Sequence, residues 1–484
     1  MLFNSLEFFI FFIIVYVCYL PLNLKWQNRL LLIASYIFYG AWDWRFLSLL
    51  FASTCLDYIF ALKIDDLKDH KKRKAFVVFS IVANLAILGF FKYFNFFAAS
   101  LVNLLSHFGL HVPMPVLHII LPVGISFYTF QSMSYVIDVY RKAIKPSRSF
   151  FDYALFVAFF PQLVAGPIMR AKQLLWQIIE PRTVTLSKFY EGSFLIFWGL
   201  FEKIFVADNL AKMVNPVFTA GPPYHGAEVL LALYAFAFQI FCDFDGYSNM
   251  ARGLGKCMGF EIMINFNLPY FATNPREFWQ RWHISLSGWL KDYLYVPLGG
   301  NRGSTLMTFR NLSITMLLGG LWHGASWTFV LWGAYHGLLL IGHRLIASVS
   351  LLRGVKRQSN PSDRDCFAPL AFTMTKSVKV IIFFHLVVLG WLLFRAQSLS
   401  QVGEMLHALI FNFHVNEQSG FMFLKFIAII FLLFVVQMGQ YKTNDLMFLY
   451  RRHWLVKTAA YAMMTCLMIG WGAMKAEEFI YFQF

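Results

Sequence analysis

Apolar residues gather into long runs along this chain, at about 8–20, 30–41, 46–62, 75–99, 116–140, 150–165, 190–210, 228–246, 311–342, 379–394, 421–440 and 456–474. Several exceed the roughly 18–20 residues that an α-helix needs to cross a hydrocarbon layer. The runs are continuous rather than alternating, which predicts helices and not the strands of a β-barrel. The expected architecture is an all-α polytopic integral membrane protein with roughly 10–12 crossings. Two runs are interrupted. "FVAFFPQLVAGPIMR" carries Pro161, Gly166 and Pro167 and is expected to be re-entrant or kinked, and "LPVGISFYTF" carries Pro122 and Gly124 and is expected to bend. The first run, "FFIFFIIVYVCYL", has no basic region before it and no small-residue cleavage site after it, so a retained helix is expected.

Composition agrees: of 484 residues, 59% are hydrophobic, 19% aromatic and only 14% charged. The net charge of +16 could suggest nucleic acid. In a membrane protein it points instead to cytoplasmic loops facing anionic lipid headgroups. The segments 63–74, 141–148, 252–310, 344–379 and 441–457 are basic, whereas 100–117, 213–227 and 396–420 contain no Lys or Arg. This alternation puts the basic segments in the cytoplasm and both termini outside. The chain is expected to form one multi-pass domain over 1–484. It would comprise N-terminal spans over 1–110, a catalytic core over 111–345, a polar cytoplasmic loop over 346–378 and C-terminal spans over 379–484. Cys18, Cys55, Cys242, Cys257, Cys366 and Cys466 are scattered without a CxxC, which argues against a disulfide framework or zinc site.

Chemistry is concentrated in two stretches. In "NPREFWQRWHISLSGWLKDYLYVPLGGNRG" (274–303), Asn274, Pro275 and Glu277 form a strong helix start. At helical spacing Phe278, Trp282, Leu286, Trp289 and Tyr293 make an apolar stripe. Arg276, Gln280, His283, Ser287 and Lys291 make a polar one. The spacing predicts an amphipathic helix over 275–293, lying at the cytoplasmic interface or lining a water-filled cavity. Pattern alone favours a solvated surface role for His283.

The second stretch, "LGGLWHGASWTFVLWGAYHG" (318–337), places His323 directly after an apolar segment. An ionisable ring at membrane depth marks either a functional site or a hydrogen bond to a neighbouring helix. On one continuous helix His336 would lie roughly 20 Å from His323 on nearly the opposite face, which argues against a metal pair, although Gly324 and Gly333 could distort the helix. His336 and His343 are expected to be packing or interface residues. In "CDFDGYSNMARGLG", Asp243 and Asp245 would need further ligands for a calcium loop, but the relevant positions hold Tyr247 and Leu254. The two acids are expected to cap, to pair with Arg252 or Lys256, or to line a polar entrance. "GGNRG" (299–303) reads as a tight turn, since neither a strand nor a Walker lysine accompanies it. There is no HExxH, GxSxG or Cys/His cluster, so no metal site is expected and histidine is the best available base. A neutral imidazole can take a proton from a hydroxyl as that oxygen attacks an activated carbonyl.

"REFWQRWHISLSGWLKDYLYVPLGGNRG" and "LGGLWHGASWTFVLWGAYHG" closely resemble the two signature regions of membrane-bound O-acyltransferases, in the bacterial alginate O-acetyltransferase branch. "PVGISFYTFQSMSYVIDVYR", "FFPQLVAGPIMR", "CDFDGYSNMARGLG" and "GWLLFRAQS" resemble that branch in the same order. The resemblance covers most of the chain; the first hundred residues and the 346–378 loop match loosely. It implies a helical core with a central tunnel, re-entrant segments and interfacial amphipathic helices. It further implies that His323 is the essential catalytic residue and His283 the second active-site residue.

The resemblance implies acetyl-CoA as donor substrate, entering from the cytoplasm, with no permanently bound cofactor. Arg276, Arg281, Lys291, Arg302 and Arg310 could receive its phosphates, with lipid contact as the alternative for each. Trp282 and Trp322, beside the two histidines, are counted among the donor contacts. His323 would act as general base while His283 orients or polarises the thioester. The implied partners are membrane lipid, a periplasmic or membrane-anchored acetyltransferase and a polysaccharide synthesis or export complex in the bacterial inner membrane. Two alternatives stay open: an acyltransferase for another envelope polymer (teichoic acid D-alanylation, peptidoglycan or cellulose acetylation), and a transporter without chemistry, which the broken helices would suit.

Overall fold

A computed structural model describes residues 1–113, 117–359, 375–473 and 479–480, with 349–359 as backbone only. The regular structure of the described residues is all helical, with no strand. Among the described residues six helical stretches are long and apolar enough to cross a membrane: Leu24–Asp66, His70–His107, Gly226–Cys257, Trp327–Ser348, Lys376–Arg395 and Glu417–Thr443. Two of these are composite: Leu24–Asp66 contains the helices Leu24–Asp43 and Leu47–Asp66, and His70–His107 contains His70–Leu88 and Phe94–His107, while other apolar runs fold as shorter pieces. The 150–165 run becomes Phe150–Ala158 and Phe160–Leu163, followed by buried irregular chain. The 116–140 run yields a helix only over Ile125–Tyr140. It starts there because Gly124 takes a left-handed φ of 75°, where a Cβ would also strike the Leu163 carbonyl.

The chain divides into two compact units. The first comprises Met1–Asp208, Cys242–Ile264 and Trp454–Phe484; the second comprises Asn209–Phe241 and Asn265–His453. In the first, polar side chains join helices inside the apolar packing. Asp57 on Leu47–Asp66 accepts from Ser80 Oγ at 2.6 Å and Asn84 Nδ2 at 2.9 Å on His70–Leu88. Lys203, on a π-helical stretch over Phe201–Ala207, bridges Asp208 and Asp243 at 2.7 Å each. Asp243 also accepts the Ile480 N–H at 2.7 Å. Of the two acids of the "CDFDG" motif, Asp243 therefore pairs with Lys203, whereas Asp245 interacts with Arg252, one of the expected partners. Lys256 is held by Glu191 at 2.8 Å.

In the second unit the apolar run 311–342, expected as one segment, is a hairpin of Thr305–His323 and Trp327–Ser359. Ser304 caps the first helix through the Met307 N–H, and Gly324 breaks it with extended backbone. The two helices touch through glycine. A Cβ on Gly320 would collide with the Phe329 carbonyl, and one on Gly333 with the Met316 carbonyl. Lys376–Arg395 packs beside Trp327–Ser359, with Gly390 admitting the rings of Tyr335 and His336. Of the expected 346–378 loop, 346–359 continues the helix and 360–374 lies outside the described residues.

Candidate active site

The amphipathic helix expected over 275–293 is broken in the middle. Asn274 Oδ1 caps the Glu277 N–H at 2.9 Å, and Glu277 reaches back to the Thr273 N–H at 2.8 Å, so the start is as expected. The helix then ends at Arg281, and a second begins at Ile284. Between them Trp282 is extended and His283 is left-handed, with φ 43°. A non-glycine residue there costs on the order of 1–3 kcal/mol and persists only where surroundings impose it. Asn265 imposes it: its carbonyl accepts the Ile284 N–H at 2.9 Å, and its side chain accepts the Ser285 N–H and hydroxyl at 3.2 and 2.9 Å. These bonds satisfy the first donors of the second helix. The break turns His283 inward. It is fully buried, not part of a solvated stripe.

There His283 meets the other histidine. Their ring centroids lie 6.4 Å apart. His283 is flanked by Trp322 at 5.8 Å and stacked on Phe266 at 6.5 Å. Burial pushes its pKa down from the ordinary 6.5 to about 3, so the ring is neutral. His323 closes the Thr305–His323 helix and is 3% exposed. Trp332 stands perpendicular to it at 5.1 Å and Phe394 packs on it at 5.3 Å. Because the 318–337 stretch is a hairpin, His323 and His336 lie on different helices, not one continuous helix. Trp332 touches both, with its ring 4.8 Å from His336.

A cavity of about 800 Å³ reaches His323. His323 and Trp332 line one end, and Gly319, Leu290 and Met316 line its wall. Arg276, Lys291, Arg302 and Arg344 line it as well. Trp332 and Arg344 share a helix, so the cavity extends about 18 Å along that axis at 1.5 Å per residue. His283 is not among the lining residues; it stands behind His323. Of the sequence candidates, Arg276, Lys291 and Arg302 line the cavity, whereas Arg281, Trp282 and Trp322 do not. Arg281 is paired with Glu277 at 2.8 Å. Trp282 packs against Trp391 at 4.9 Å. Arg310 holds the Leu298 carbonyl and the Asn311 side chain at 3.3 and 2.9 Å, beside the glycine turn. Trp279, Trp332 and Arg344, which line the cavity, and Phe394, which packs on His323, do not stand out as site residues in the sequence; His343, expected to be a packing or interface residue, lines the cavity as well. Trp332 and His336 at i and i+4 were one available signal. Among the described residues no three His, Cys, Asp or Glu side chains converge as metal ligands.

The family model MBOAT, membrane-bound O-acyltransferase family, matches residues 139–360. The chain belongs to this family: it is an O-acyltransferase and a multi-pass membrane protein. It is 43% identical over 421 residues to the Probable alginate O-acetylase AlgI of Pseudomonas aeruginosa, covering 87% of this chain and 76% of that protein. It is 35% identical over 444 residues to the Peptidoglycan O-acetyltransferase of Helicobacter pylori, covering 85% of this chain and 80% of that one. To the Teichoic acid D-alanyltransferase of Streptococcus thermophilus it is 29% identical, over 56% of this chain and 68% of that protein.

Proposed function

We propose that this protein moves acetyl from cytoplasmic acetyl-CoA across the bacterial inner membrane for O-acetylation of an exopolysaccharide such as alginate, by way of a periplasmic acetyltransferase partner in a polysaccharide synthesis or export complex. The observation that carries this is the cavity: cations line it, and a buried histidine stands at one end. The relatives favour acetyl over D-alanyl, since the acetylating ones match over 85–87% of the chain and the D-alanylating one over 56%.

Arg276, Lys291, Arg302 and Arg344 would hold the CoA phosphates on the cytoplasmic side. The thioester would then lie beside His323, reached from the other face by the acceptor hydroxyl. His323 takes the hydroxyl proton as the oxygen attacks the thioester carbonyl carbon. The C–S bond breaks, the new ester C–O bond is complete, and the proton passes to the departing CoA thiolate. His283, set behind His323 and neutral, positions that ring. The aromatic enclosure keeps water from the thioester. The test is sealed vesicles with the cytoplasmic face inward. Acetyl-CoA trapped inside should acetylate partner or polysaccharide supplied outside; transfer only when donor and acceptor share one face contradicts the proposal.

A further inference from the structure

One group at the reacting end of the cavity has no role in this proton transfer. His323 packs against His283, Trp332 and Phe394 and also against Trp322, at 5.1 Å; of these four rings Trp332 alone also lines the cavity. An acyl group whose carbonyl lies within reach of His323 therefore lies beside this indole. Trp332 is also fixed in place. It is 1% exposed and packed against Trp279, His336, Trp391 and Phe394, with centroids at 5.8, 4.8, 6.0 and 5.2 Å. Gly333, the next residue, is pressed against the Met316 carbonyl, so the backbone carrying Trp332 cannot retreat. Close-packed walls of this kind do not stretch to admit additional methylenes; overpacking costs about 1–3 kcal/mol.

We propose that Trp332 is the stop that sets acyl length, restricting the donor to acetyl-sized thioesters. The inference rests on the acyl-thioester donor proposed above and adds to it the residue that decides which thioester fits. One methylene too many in a closed pocket is worth roughly 1–3 kcal/mol, or 10–200-fold in discrimination. Removing the indole should relieve that penalty and add apolar contact for a longer chain.

The test is binding of the unreactive thioether analogues of acetyl-, butyryl- and hexanoyl-CoA to purified full-length protein, which needs no acceptor. Wild type should prefer the acetyl analogue at least tenfold over the hexanoyl one. Trp332→Ala should reverse that order, and Trp332→Phe should fall between. Arg344→Gln, about 18 Å along the cavity from Trp332, should weaken all three alike. A gain in hexanoyl affinity cannot come from a misfolded protein, so the readout separates specificity from damage. If wild type binds none of the analogues, the donor assignment fails and the length stop with it. If wild type binds them and Trp332→Ala leaves their ratio unchanged, only the length stop is overturned.

Discussion

His323 faces the cavity and His283 stands directly behind it, their rings 6.4 Å apart, so one histidine meets the reactants and the other meets the histidine. This ordering gives the two residues different mutational signatures. His283→Asn should lower kcat on the order of tenfold to a hundredfold with little change in KM for acetyl-CoA, because the donor cavity is untouched. Steady-state kinetics in detergent checks it. A rise in KM alone would place His283 on the donor instead.

The neutral state of His283 has a pH consequence for stability. Above the ordinary pKa of 6.5, folded and unfolded chains both carry a neutral ring. Between 6.5 and about 3, the unfolded chain takes up a proton that the folded one refuses. Stability therefore falls as pH drops through this window, by about 1.4 kcal/mol per unit from this group. The melting temperature should decline from pH 6.5 to 5 in wild type and less steeply in His283→Asn. Equal slopes would contradict the burial argument.

The cavity cations act on binding. Replacing Arg276, Lys291, Arg302 or Arg344 singly by Gln should raise KM for acetyl-CoA roughly three- to tenfold with kcat nearly constant. Added salt should raise the wild-type KM and have less effect on the variants. Arg281→Gln, already committed to Glu277, should shift KM least.

The Lys203 bridge should matter for folding. Lys203→Met leaves Asp208 and Asp243, whose side chains are 2% and 3% exposed, as uncompensated buried charges. Removing one member of such a group costs about 3–5 kcal/mol. Thermal unfolding should show the loss, and converting both acids to Asn in the same protein should recover much of it.

The class of fold was legible because long apolar runs have few physical outcomes. The site was legible in part. The cap at Asn274–Glu277 followed from local chemistry, but the break at His283 did not. Helical spacing continues smoothly through 282–283, and the interruption comes from Asn265, which is distant in sequence. Likewise the Gly320–Phe329 and Gly333–Met316 contacts that make the hairpin are tertiary. Periodicity alone therefore does not separate His323 from His336; Gly324, where the first helix ends, is the one local sign of the break. Arg276 and Arg281 differ for a local reason instead: Arg281 lies at i+4 from Glu277 and pairs with it, a spacing visible in the sequence, whereas Arg276 lines the cavity.

The most direct test of the central claim is transfer of labelled acetyl from acetyl-CoA by purified wild-type and His323→Ala protein, with candidate acceptor partners added one at a time. Wild type should label one acceptor. His323→Ala, inserted and folded to the same degree, should fall to background. A His323→Ala protein that still transfers acetyl at a rate near wild type would contradict the account.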